Sequence, residues 1–125
     1  MTEPNIVNVT SIKGRSFLQL LKDDAIDNSN ASMLTCDANT LIKINSIIIA
    51  SIDSSNACTI DVAINHHDHG RHYLANTVDL PAKSTLIVIG KDSPIYLEEG
   101  DELEARASAD SDADICISFE ILDDA

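Results

Sequence analysis

Three runs of strict apolar–polar alternation limit what this chain can fold into. In CTIDVAIN, Cys58, Ile60, Val62 and Ile64 fall on one side, and Thr59, Asp61, Ala63 and Asn65 on the other. In DELEARAS, Leu103, Ala105 and Ala107 oppose Glu102, Glu104, Arg106 and Ser108. In DICISFEIL, Ile115, Ile117, Phe119 and Ile121 oppose Cys116, Ser118 and Glu120. A period of two belongs to an extended strand with one face in a core and the other towards solvent or a partner.

Other β-rich runs lack clean alternation: Ile6–Ile12, Ser16–Leu21, Leu41–Ile52, Leu86–Ile89 and Ile95–Leu97. In LIKINSIIIASI the triplet Ile47-Ile48-Ile49 predicts a strand covered on both faces. On that reading Ile48→Asp buries an unpaired charge and prevents folding. Turn-forming clusters punctuate the runs at Asp27–Asn30, Asp53–Asn56, Pro81–Ser84, Lys91–Pro94, Glu98–Asp101 and Ala109–Asp114. Short strands with turns at this spacing predict an all-β fold: one antiparallel β-sandwich domain over residues 1–125, jelly-roll or immunoglobulin-like, with about eight strands. The stretch Gly14–Cys36 reads either as two strands around a polar loop or as holding one helical turn near Leu20–Asp24.

Composition narrows the function classes. A net charge of −13, from 21 acids against 8 bases, repels phosphate backbones, so nucleic acid is not an expected partner. Aromatic residues make up 3% and Trp is absent, which removes the stacking platforms of most glycan and single-strand binders. Apolar runs such as Ile47–Ala50 fall far short of the roughly 18 residues of a spanning helix. The opening MTEPNIVNVT has an acid and a proline where an export signal carries bases and then apolar residues. Cys36, Cys58 and Cys116 are odd in number, far apart and set in strand-like runs, so they are expected as buried thiols in a reducing cytoplasm. The eleven acids between Glu98 and Asp124, against Arg106 alone, are expected to face solvent or a basic partner.

All four histidines, His66, His67, His69 and His72, sit in NHHDHGRHYL beside Asp68. A zinc site draws three or four ligands from separated elements, whereas this short run places only His67 and His69 on one face if extended. Within one chain it reads as a polar hairpin loop, with Gly70 taking a positive φ. His67, His69 and His72 become metal candidates only where a threefold axis brings several copies together. Asp110, Asp112 and Asp114 open like a calcium loop, but Ile115 and Ile121 stand where that loop needs Gly and Glu. The chain has no G-x-S-x-G, no phosphate-cradling glycine loop and no H-E-x-x-H. No catalytic residue and no cofactor is expected.

Three blocks, PNIVNVTSIKGRS, KINSIIIASIDSSNACTIDVAI and the run from Tyr73 to Leu122, carry a resemblance. Its most telling pieces are the long run around Lys43–Ile52, LPAKSTLIVI, SPIYLEEGDELEA and the terminal CISFEIL. Together they resemble a family of small virion structural proteins of tailed marine phages, of the contractile-tailed cyanophage type. The resemblance implies an all-β, sandwich-like domain without enzymatic activity, present in many copies. The expectation is therefore a virion protein assembled in the host cytoplasm, most simply a capsid-surface decoration or cement protein. Its expected partners are further copies of itself, as a trimer, and other virion proteins such as the major capsid protein, with no membrane. The alternatives are a neck or tail accessory protein, or a module binding a host-surface glycan or receptor through Tyr73 and Tyr96.

Overall fold

The computed structural model describes residues 11–26, 31–90 and 92–123. Among these described residues, nine strands run in chain order: β1 Ser11–Leu20, β2 Ser32–Thr35, β3 Thr40–Ser51, β4 Cys58–His66, β5 Gly70–Leu80, β6 Thr85–Ile89, β7 Ile95–Leu97, β8 Glu102–Ala107 and β9 Ala113–Asp123. They form two antiparallel sheets, the architecture that the alternation predicts. The first, sheet A, has the order β1-β9-β3-β6, with β7 also paired to β3; the second, sheet B, has the order β2-β8-β4-β5.

The alternating runs supply the central strands. Ile115, Ile117 and Phe119 of β9 face the core beside Ile44, Ile47 and Ile49 of β3. From sheet B, Ile60 and Val62 of β4 meet them with Leu103, Ala105 and Ala107 of β8. Small alanines opposite branched side chains let the two inner faces close with few aromatics. Phe119 is the one aromatic side chain buried among the described residues.

Several expectations need correction. No helical turn forms near Leu20–Asp24. Instead the chain leaves β1 as an irregular segment, pinned where the Leu21 N–H donates to the Ala113 carbonyl and the Ala107 N–H to the Lys22 carbonyl. Ile26 and Ala31 then cover Ala63 on the outer face of sheet B. β1 continues through Gly14 rather than starting at Ser16, because all ten of its residues find partners on β9. The expected Asp27–Asn30 turn and most of Ile6–Ile12 lie outside the described residues. A further strand, β5, occupies RHYLANTVDL, whose mainly exposed side chains leave no alternation to read.

Ile48 is the most consequential correction. β3 is not sealed on both sides: Ile47 and Ile49 are fully buried, whereas Ile48 points outward and stays half-buried. The register carries that outward position across the whole of sheet A. Leu18 lies opposite Cys116, Cys116 opposite Ile48, and Ile48 opposite Ile87. Leu18 is 71% and Ile87 64% exposed at the two ends of this four-strand apolar row, with Cys116 and Ile48 partly exposed between them.

Cys116 belongs to that row and is partly exposed, contrary to the expectation of three buried thiols. Burial pushes the Cys36 and Cys58 thiols up, further reducing their thiolate. Thiol labelling of the native protein is expected to modify Cys116 first, with Cys36 and Cys58 reacting only on unfolding. Equal rates at all three would contradict this packing.

Candidate functional site

Polar chemistry concentrates in two places, and each joins elements far apart in sequence. At one end of the sandwich the β4–β5 hairpin turns at His67–His69, and Gly70 takes φ +76° as the loop reading requires. Beside it lies the β7–β8 turn, Glu98–Asp101, where Gly100 adopts φ +90°. Asp101 is 1% exposed and ties the two together. Its Oδ1 accepts the His67 N–H at 2.9 Å and the His67 ring Nδ1–H at 2.7 Å, and its Oδ2 accepts the Glu98 N–H at 2.9 Å.

Two pKa shifts follow from this clamp. The hydrogen bond to Asp101 raises the His67 imidazole above its ordinary 6.5, helped by the charge of Asp68. Burial alone would raise Asp101, but the two His67 donors and the Glu98 amide outweigh it and hold the carboxyl below its ordinary 3.8. The ion pair is therefore most complete in mildly acidic solution.

His66, His67 and Glu98 bring potential ligand atoms within 4.8 Å of one another. The hydrogen bonds decide how that cluster is protonated. His66 Nδ1 accepts the backbone N–H groups of Asp68 and His69, each at 3.1 Å, so its proton resides on Nε2 and is donated to Glu98 at 3.1 Å. Coordination through Nε2 would move that proton onto Nδ1, against two N–H donors. The arrangement is that of a loop clamp, with His66 stacked on His67 at 4.3 Å and on His69 at 4.8 Å. Of the three candidates for an oligomer axis, His67 is held by Asp101, His69 by its stack on His66, and His72 donates Nε2–H to the His69 carbonyl at 3.1 Å. In this turn His67 and His69 do not share an extended face.

The second polar centre lies on the outer face of sheet B. An open pocket of about 740 Å³ is lined by Asp23, Asp61, Arg71, Tyr73, Asn76, Thr77 and Arg106, among others. Its charges are matched internally. Arg71 grips the buried Glu104 through two bonds, at 2.6 and 3.0 Å. Arg106 donates to Asp61 at 2.8 Å and to Asp23. Asp61 also accepts the Thr77 N–H at 2.6 Å, holding Thr77 at φ +53° in the bulged part of β5. The expectation that the acids after Glu98 face solvent or a basic partner therefore needs revision. Asp101 and Glu104 are buried, and their basic partners, His67 and Arg71, come from this same chain.

Asp110 and Asp112 act as turn residues. Asp110 accepts the Asp23 N–H at 2.8 Å, while burial and the nearby Asp53 raise Asp112. Tyr73 and Tyr96 cannot form one contact. Tyr73 lies opposite Ala63 on the outer face of sheet B, and Tyr96 opposite Lys43 on the outer face of sheet A.

On sheet A, Asn45 of β3 donates to the Glu120 carboxylate of β9 at 3.0 Å, and the large exposed side chains beside this pair are apolar. Ile12, Leu18, Leu20, Ile87 and Tyr96, all more than 40% exposed, belong to its strands. An apolar surface of this kind is what a subunit contact uses. Sequence reasoning missed it because Ile48 reads as core, and missed the clamp because Asp101 lies 34 residues from His67. The acid closing the turn EEGD was the one available signal. No protein-family model matches the chain, and no curated protein matches it.

Proposed function

We propose that the chain is a non-enzymatic structural subunit of a tailed-phage virion, most simply a decoration or cement protein on the capsid surface. The observation that carries this reading is the open apolar row Leu18–Cys116–Ile48–Ile87 across the outer face of sheet A. Side chains of this kind contribute about 25 cal/mol per Å² when removed from water, and a neighbouring molecule seated on this row would remove them. The polar groups point the same way: both arginine centres and the histidine clamp are engaged in holding the domain itself together. The resemblance to virion proteins of tailed marine phages adds the setting, in which many copies make a small contact face effective.

Neck or tail placement is the second reading and uses the same face. Quantitative mass spectrometry of purified virions separates them. Copy numbers that follow the capsid lattice support decoration, ring numbers of about six or twelve support neck or tail, and absence from virions overturns both.

Ile48→Asp, which the sequence reading takes as lethal to folding, now has a different expected result. The variant folds, because the introduced carboxylate stays solvated on the outer face, but it is not incorporated into particles. Unfolded or insoluble protein would contradict the outward placement of Ile48. Folded protein incorporated at the normal level would contradict the assembly face.

A further inference from the structure

β1 is the edge of sheet A: among the described residues it pairs only with β9, along all ten positions. An edge of that length presents a row of free backbone donors and acceptors, which pairs readily with another strand. We propose that the strand it pairs with is β1 of a second copy, in an antiparallel, twofold-symmetric dimer whose axis passes beside Ser16. This inference rests on the assembly reading above for its purpose.

The register follows from symmetry and charge. A twofold axis perpendicular to the sheet places paired residues on the same face, so the two positions of every pair must share parity. Two registers then engage nine residues of each strand. Centring on Arg15 sets that guanidinium directly against its own copy. Centring on Ser16 sets Arg15 against the partner's Phe17, where the cation lies over a ring, and Lys13 against the neutral Gln19. The same register pairs Ile12 with Leu20, both exposed in the single chain.

Gly14 completes the fit. In this register it lies opposite Leu18 of the second copy, and a Cβ built at Gly14 meets nothing within 4 Å. The missing side chain leaves a notch for the most exposed leucine of the strand. β1 also carries Lys13 and Arg15 but no acid, so this edge lowers the repulsion between two chains of net charge −13. The joined edges make one sheet running through both copies, with their outer apolar faces on the same side.

Sedimentation velocity across a concentration series tests the pairing. The wild-type chain is expected to dimerise, and Gly14→Lys, which fills the notch, to weaken dimerisation at least tenfold with no loss of melting temperature at dilutions where the chain is single, because the added cation lies opposite Glu120 of its own sheet. Disulfide trapping then reads the register. In a Cys116→Ser background, Ser16→Cys is expected to form an interchain disulfide rapidly, because residue 16 faces its own copy, while Arg15→Cys stays largely reduced. A single chain at every concentration, a trimer, or faster trapping at position 15 than at 16 would overturn the proposal. A chain that does not dimerise but is found in virions would leave the assembly reading intact. A dimer absent from virions would do the reverse.

Discussion

Arg71→Ala is expected to destabilise the domain by about 3 kcal/mol, the lower end of what breaking a buried ion pair costs. Glu104 is 3% exposed and lies opposite Ala63, which Ile26 and Ala31 cover, so without Arg71 its carboxylate has lost a two-pronged partner. The cost stays at the lower end because the Arg71 side chain is 27% exposed and water can follow the truncated residue in. Replacing both partners at once, Arg71→Met with Glu104→Leu, should recover most of the loss, since no charge is then left buried. Urea unfolding of the single and double variants measures both numbers. A single-variant loss below about 1 kcal/mol, the range of exposed pairs, would show that the pair is solvated.

Asp101→Ala is expected to be comparably damaging, at about 3 kcal/mol, because three donors lose one acceptor residue. Asp101→Asn should fall between, because its single carbonyl oxygen still serves the His67 donors while the Glu98 N–H, which bonds Oδ2, loses its acceptor. The pH dependence has two limbs. Asp101 is depressed in the folded state, so its contribution is present above 3.8 and fades as pH falls through its folded value. His67 is raised, so its contribution is complete below 6.5 and fades as pH rises through its folded value. The difference in melting temperature between the wild type and His67→Asn should therefore peak between these limits. A difference that is flat or grows above neutral pH would contradict the assigned pairing.

The parts of the fold that sequence reading reaches are those where burial imposes a period. β4, β8 and β9 alternate because one face of each is sealed in the core, and their inward residues are the ones expected. β5 escapes because it is an edge strand with both faces largely in solvent, where nothing selects an alternation. The triplet at Ile47–Ile49 misleads for a related reason. An outward isoleucine is chemically the same as an inward one in a core, and only the register shows which way it points. The polar sites stay hidden because Asp101 and His67 belong to different turns, and so do not become neighbours until the sheets have paired.

A density map of the assembled virion fixes the presence, orientation and contacts of this chain together. The expected map shows the sandwich on the particle, with the row Leu18–Cys116–Ile48–Ile87 covered by a neighbouring subunit and the outer face of sheet B towards solvent. A particle without this chain, or one in which that row lies open while sheet B makes the contacts, would contradict it.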